Sequence, residues 1–101
     1  MKLQILAEIE AERNRQDAIH PTSAHLPDGT SDTEDRQFAR DTARIFTDQA
    51  AKVGELTWVH VLREEFLEAL AEVDPAKIRA ELIQVAAVCA RWAEDIDSRA
   101  V

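Results

Sequence analysis

The chain has 101 residues, which is the size of one domain, here residues 1–101. Its formal charge of -8 argues against binding to nucleic acid polymers, because their backbones attract Lys and Arg side chains. No apolar run approaches the roughly 20 residues of a membrane span, and the first residues do not resemble a signal peptide. We therefore expect a cytoplasmic protein. A chain this short buries only about two thirds of its unfolded surface, which makes a partner subunit a natural addition.

The first half of the chain predicts two helices. Residues 2–19 carry Leu3, Leu6 and Ile9 at helical spacing and then become charged. Residues 20–32 hold two Pro and one Gly and predict a loop. Residues 33–52 predict the second helix, and Gly54 stops it. One side of this helix collects Phe38, Ala39, Thr42, Ile45, Phe46 and Ala50.

The second half predicts a helical hairpin. A third helix runs from Thr57, a suitable N-cap, to Val73. Asp74 and Pro75 start a fourth helix, which continues to about Asp97. Because at most two residues separate these helices, they must be antiparallel. Nothing alternates with period two, so the sequence predicts an all-α four-helix bundle.

Polar side chains occur on this hairpin where apolar ones are usual. Glu68 lies about 9 Å before Asp74 along the helix axis and Glu81 about 10 Å after it, so they sit at the same height. Glu65 and Gln84 form a second level about 5 Å further along. The four side chains are therefore expected to form a compact square.

The apolar arcs of both helices include or border these carboxylates. Glu81 falls between Val88 and Trp92, and Glu65 lies next to Trp58 and Ala69. Ionised carboxylates near a core are costly unless a positive charge joins them. A divalent cation is the interpretation we favour. The alternative is a solvated acidic face with ion pairs to nearby basic side chains, namely Arg63, Lys77 or Arg79.

The motif on the hairpin resembles a known family. "EEFLE" at residues 64–68, followed by "ELIQ" at 81–84, is similar to the Glu-x-x-Glu, spacer, Glu-x-x-Asp signature of the all-α MazG-type nucleoside triphosphate pyrophosphohydrolases. The flanking segments "ERNRQDAIH", "LTWVHVLREE" and "AELIQVAAVCARW" resemble the small MazG-like proteins of actinobacteria and their phages. The likeness covers most of the chain, with a looser match in the loop and the second helix.

The resemblance implies a function and a site. It implies a MazG-like bundle completed by association into a homodimer or homotetramer. The implied reaction hydrolyses a nucleoside triphosphate to the monophosphate and pyrophosphate. Glu65, Glu68 and Glu81 would be the catalytic residues and ligands of Mg²⁺, with Mn²⁺ as an alternative ion. Gln84 would be the fourth ligand position, where the superfamily usually has Asp and this small branch also carries Gln.

Several other residues are candidates for the nucleotide. The resemblance implies that Gln16, in the matching "RNRQ" segment, reaches the base or sugar. Basic side chains are expected to assist at the phosphates, and the candidates are Arg13, Lys77 and Arg79, with Arg15, Lys52 and Arg91 also available. Each of these is more often an ordinary surface charge.

The remaining chemistry-bearing side chains have weaker interpretations. His20 and His25 lack a third ligand nearby, so a zinc site is a minor hypothesis. Cys89 has apolar neighbours and is predicted to be a small core residue. Trp58 and Trp92 are most simply core or interface residues.

Two other classes of function compete with the enzyme. One is a nucleotide-binding or regulatory module that has lost turnover with the change to Gln84. The other is a structural bundle in which the carboxylates only form salt bridges.

Overall fold

The structure, a computed structural model, describes residues 2–20 and 26–99 and is all-α in those ranges. This confirms the all-α part of the predicted fold class. The elements are α1 (Leu3–Ile19), α2 (Glu34–Lys52), α3 (Trp58–Leu70) and α4 (Pro75–Arg99). Helix α3 ends at Leu70, three residues earlier than predicted, and α4 continues past Asp97 to Arg99. Within the described residues, no helix combines the length and the apolar character needed to cross a membrane.

Side chains cap the starts of α2, α3 and α4. The Thr57 hydroxyl accepts a hydrogen bond from the His60 backbone N–H at 3.3 Å, and His60 Nδ1 accepts one from the Thr57 N–H at 3.0 Å. This reciprocal arrangement is a capping box in which His replaces the more usual Glu. Thr33 caps α2 through the backbone N–H of Arg36. Asp74 Oδ1 accepts a hydrogen bond from the Ala76 N–H at the start of α4, as the Asp-Pro sequence predicts.

A glycine ends α2. Gly54 has a φ of 72°, in the left-handed region that L side chains rarely adopt. This turn lets the Glu55 N–H donate to the Ala50 carbonyl at 2.8 Å. The chain then reverses toward α3.

Contacts divide the chain into two compact units. One consists of Gly29–Cys89, and the other of Met1–Asp28 with Ala90–Val101. The first contains α2, α3 and most of α4, and the second contains α1 and the end of α4. We refer to them as the hairpin unit and the terminal unit.

Helices α2 and α3 pack against each other in the hairpin unit. Thr47 Oγ1 donates to the His60 carbonyl at 3.2 Å, while Arg44, earlier on α2, pairs with Glu68, later on α3. This order shows that the two helices are antiparallel. Ala43, Ala50 and Ala69 are buried, and these small side chains let helices approach closely.

The larger apolar residues of α2 are not part of that packed surface. Phe38, Ile45 and Phe46 are exposed, although the sequence groups them with buried Ala50. For Ile45 the reason is angular, because it follows Ala43 by two residues, which is about 200° around the helix. The expected core position of Cys89 is also wrong for this chain by itself, because Cys89 is exposed.

The terminal unit buries little. The Lys2 backbone N–H donates to Glu94 at 2.8 Å, and Ile5 and Ala90 are buried. Leu3, Leu6 and Ile9 remain exposed. The apolar start of α1 is therefore mostly uncovered in the single chain.

Candidate metal centre

Three carboxylates meet on the hairpin unit. Glu65 and Glu68 come from successive turns of α3, and Glu81 comes from the second turn of α4. One oxygen of each can be chosen so that all three lie within 4.8 Å of one another. Because residues three apart project from the same side of a helix, the reversal between α3 and α4 is enough to bring Glu81 to the pair. The predicted convergence of these three residues is thus present in the structure. We call them the carboxylate cluster.

The cluster contains polar atoms that the protein leaves without partners. Glu65 Oε2 and Glu81 Oε2 are buried and accept no hydrogen bond from the described residues. A buried polar atom without a partner costs about 1–3 kcal/mol, and more when it carries charge. Protonation of these carboxyl groups or a positively charged neighbour would reduce this cost.

Burial and mutual repulsion raise the pKa of two cluster members. The pKa of Glu65 lies above its ordinary value mainly because burial penalises the charged form, and the neighbouring Glu68 raises it further. The pKa of Glu81 is raised by the same two causes in the same order. Glu64, beside the cluster on α3, also has a pKa raised first by burial. The site thus concentrates negative charge that the protein only partly compensates.

Arg44 supplies the compensating charge. Its Nε donates to Glu68 Oε1 at 3.1 Å, and the Glu68 side chain is only 16% exposed whereas that of Arg44 is 47% exposed. The positive charge of Arg44 also lowers the pKa of Glu64, Glu65 and Glu81, although burial outweighs it. Sequence reasoning missed Arg44, because the partner lies on a different helix. The sequence offered one indication of a basic surface there, because Arg40 and Arg44 are one helical turn apart and lie on the same side of α2.

The partners that the sequence suggested do not pair with the cluster. In the ranges that the structure describes, no ion pair joins these carboxylates to Arg63, Lys77 or Arg79. All three basic residues are exposed. Gln84 lies on α4 one turn beyond Glu81 and is exposed as well. Its place as a fourth ligand therefore stays a prediction.

Arg13 and Gln16 belong to the terminal unit, where both line a cavity of about 420 Å³. The other lining residues are Ile5, Glu8, Ile9, Glu12 and Ala93. Glu12 receives hydrogen bonds from Arg15 at 2.6 Å and from Gln16 at 3.1 Å. These bonds lower the pKa of Glu12 to about 2. The amide of Gln16 is therefore already engaged with a carboxylate.

The zinc hypothesis involves His20 and His25. His25 lies outside the described residues, whereas the His20 N–H donates to the Gln16 carbonyl at the end of α1. Among the residues that are described, Glu65, Glu68 and Glu81 form the group of His, Cys, Asp or Glu side chains with metal-ligating spacing.

Comparison of the chain with models of protein families, with curated proteins and with solved structures gives no significant match.

Proposed function

We propose that this protein is a Mg²⁺-dependent nucleoside triphosphate pyrophosphohydrolase of the MazG type. The observation that supports it is the carboxylate cluster on the antiparallel hairpin, with two buried oxygens left without partners. The motif resemblance suggests the reaction, and the geometry of the carboxylate cluster supports binding of the cation that this reaction needs. Mn²⁺ has similar ligand preferences and is expected to substitute.

The residues present fit a hard divalent cation. Mg²⁺ prefers oxygen ligands and is usually held by one or two carboxylates together with water and substrate phosphates. The cluster offers carboxylate oxygens within 4.8 Å of one another. The pKa values of Glu65 and Glu81 are raised first by burial and then by repulsion from Glu68, so their ionised forms are disfavoured without a cation. A bound cation would favour their ionised forms.

In the proposed reaction the chain binds the triphosphate and positions water. When bound, Mg²⁺ neutralises charge on the phosphate chain, which lowers the barrier to displacement at phosphorus. Glu65, Glu68 and Glu81 would hold the ion, and one of them would also orient the water that attacks the α-phosphorus. The bond from that phosphorus to the bridging oxygen breaks, so that the products are a nucleoside monophosphate and pyrophosphate.

Arg44 has a second role in this proposal. Its half-exposed guanidinium pairs with Glu68 in the structure. When Glu68 is engaged as a ligand, Arg44 becomes available for a phosphate oxygen, which guanidinium groups bind in a bidentate manner. Lys77 and Arg79, both exposed on the first turns of α4, remain further candidates for the phosphates. Arg13 and Gln16 remain candidates for the nucleoside.

Gln84 favours a second candidate function. A neutral amide at the fourth position provides one negative charge fewer than Asp. A protein with that deficit would bind nucleotide and cation without turnover and act as a binding or regulatory module. Association of identical subunits is part of both candidates, because the single chain leaves most of its large apolar side chains exposed.

The test is product analysis with purified protein. Ribo- and deoxyribonucleoside triphosphates are incubated with Mg²⁺, with Mn²⁺ or with a chelator, and the products are separated by ion-exchange chromatography. We expect monophosphate and pyrophosphate in equal amounts with at least one nucleotide, and none with chelator. Glu68→Ala should abolish the reaction, whereas Glu55→Ala, in the exposed turn before α3, should leave it intact.

Two results would contradict the enzyme. Release of a nucleoside diphosphate and inorganic phosphate would show that a different phosphoanhydride bond is cleaved. Absence of turnover with every nucleotide and metal, combined with nucleotide binding by calorimetry, would establish the binding module instead.

A further inference from the structure

The side of α2 that faces away from α3 carries an apolar stripe. We call it the α2 face, and its residues are Phe38, Thr42, Ile45, Phe46, Gln49 and Val53. Its four large apolar side chains are exposed: Phe38 by 74%, Ile45 by 59%, Phe46 by 58% and Val53 by 65%. The helix thus buries Ala43 and Ala50 and exposes both of its phenylalanines. An amphipathic helix normally does the reverse, which indicates that another surface covers the α2 face.

The order of residues along this face is self-complementary. The midpoint of the stripe falls between Ile45 and Phe46. Phe38 and Val53 lie at equal distances on either side of it, and so do Thr42 and Gln49. In an antiparallel pair of α2 helices related by a twofold axis at that midpoint, apolar residues meet apolar ones and the two polar residues meet each other. A twofold interface must be self-complementary in this way.

We infer that the α2 face is the contact between two copies of this chain, which pair their α2 helices antiparallel about a twofold axis between Ile45 and Phe46. This inference rests on the subunit association included in the proposed function and not on the reaction itself. It specifies the surface and the orientation of the partner, which the proposed function leaves open.

The available area is in the range that such a contact requires. Each of the four large apolar side chains exposes on the order of 100 Å². Together they supply about half of the roughly 800 Å² per partner that a stable interface buries. Thr42, Gln49 and the flanking turns of the helix are placed to contribute the remainder.

Pairing through the α2 face leaves the carboxylate cluster accessible. Arg44, which contacts Glu68, lies about 100° around the helix from Ile45. The charged flank of α2 therefore faces the cluster while the apolar stripe faces the second copy.

The first test is the molar mass in solution, measured by light scattering over a range of concentrations. We expect a dimer or a larger even assembly for the unmodified chain. Ile45→Asp places two carboxylates at the twofold axis and should at least halve the mass or raise the dissociation constant more than 100-fold. Val59→Asp is the matched control, because Val59 is similarly exposed on α3, and it should keep the mass of the unmodified chain. Circular dichroism of both variants distinguishes dissociation from unfolding.

The second test locates the axis by cysteine cross-linking in a Cys89→Ser background. Ile45→Cys should form a disulfide with its own copy on oxidation, since the two residues adjoin the axis. Phe38→Cys should not, because the two copies of that residue would be about 22 Å apart along the helices and a disulfide needs Cα atoms within about 7 Å. A mixture of Phe38→Cys and Val53→Cys proteins should cross-link.

Each contrary result has a distinct meaning. A monomeric unmodified chain overturns both this inference and the association included in the proposed function. A dimer that survives Ile45→Asp, or one that cross-links through Phe38→Cys alone, overturns the α2 contact or its antiparallel direction and leaves association itself intact. Nucleotide hydrolysis is measured separately, so neither outcome depends on the proposed reaction.

Discussion

Arg44 Nε donates a hydrogen bond to Glu68 Oε1 at 3.1 Å, and this ion pair joins α2 to the carboxylate cluster on α3 and α4. Among the described residues, Glu68 is the one cluster carboxylate that forms an ion pair with a basic side chain. A divalent ion at the cluster would compete with Arg44 for the same oxygen. In the proposed function, the ion pair would link metal binding to the position of a guanidinium that suits phosphate.

We expect Arg44→Gln to separate these two roles. Without metal, loss of a partly exposed ion pair should lower the free energy of unfolding by about 0.5–1 kcal/mol. With Mg²⁺ and substrate, loss of a charge-assisted contact to phosphate should lower kcat/KM by roughly 10- to 100-fold. Steady-state kinetics of Arg44→Gln and Arg44→Lys measure this effect.

Arg63→Gln is the control for Arg44, because Arg63 is exposed on α3 and forms no ion pair with the cluster in the described ranges. Its kinetics should match those of the unmodified protein. Equal losses in both variants would mean that overall charge, not the position of Arg44, is responsible.

Divalent cations should stabilise the fold through the cluster. At a free concentration 100 times Kd, Mg²⁺ or Mn²⁺ should add about 2.7 kcal/mol to the free energy of unfolding, which is a rise in Tm on the order of 10 °C for a domain of this size. Thermal denaturation with and without chelator measures it. Glu81→Gln removes one ligand and should reduce the shift, whereas Glu55→Gln should not. An unchanged Tm at saturating metal would favour the purely structural bundle.

The raised pKa values of Glu65 and Glu81 predict a pH dependence of stability. At a pH above 4.5, the ordinary pKa of a glutamate, these two carboxyl groups keep their protons in the folded state more than in the unfolded state. Without metal, the free energy of unfolding should therefore fall as pH rises from 4.5 through the raised pKa values. Urea denaturation at a series of pH values measures the trend.

Glu65→Gln isolates the contribution of one group to that trend. The amide does not titrate, so the variant should gain stability relative to the unmodified protein as pH rises through the same window. Taking the difference removes the effects of other groups, such as Asp41, whose pKa is lowered by its hydrogen bond from Arg40. A difference that is constant with pH would show that Glu65 is not perturbed.

Much of the fold follows from local signals in the sequence. Thr57, Asp74 and Gly54 mark helix ends through capping and a positive φ, which are properties of a few neighbouring residues. The convergence of Glu65, Glu68 and Glu81 also follows from the sequence, because two helices joined by a short turn must be antiparallel and their axial rise is fixed.

The sequence could not predict which side chains are exposed or which pair across helices, because both depend on how separate helices are rotated against each other. The apolar stripe of α2 has the same periodicity whether it faces α3 or a second copy, so the exposure of Phe38 and Ile45 required the structure. The Arg44 partner required it for the same reason. Cys89 has apolar neighbours along the chain, yet its exposure depends on which side of α4 is covered.

The hydrogen bonds around Glu12 predict a local titration effect in the terminal unit. Arg15, the largest cause, and then Gln16 lower the pKa of Glu12 to about 2. Arg15→Gln should raise this pKa toward its ordinary value of 4.5, and Gln16→Ala should raise it by less. Side-chain carboxyl chemical shifts followed by NMR over pH give both values. A larger effect of Gln16→Ala would show that the amide is the principal donor.

Gln84→Asp distinguishes an active enzyme from a degenerate one. The substitution adds a negative charge one turn beyond Glu81 on α4, where the resemblance places a fourth ligand. If Gln84 belongs to the site, the variant should bind Mg²⁺ more tightly, because one additional carboxylate raises the negative charge of the ligand set, as measured by calorimetry. Turnover should then change only modestly in a protein that is already active, whereas a binding module should gain it. Ala86→Asp, which adds one negative charge at an exposed position on the same helix, is the control for charge alone. Equal metal affinity in the unmodified protein and in Gln84→Asp would place Gln84 outside the metal site.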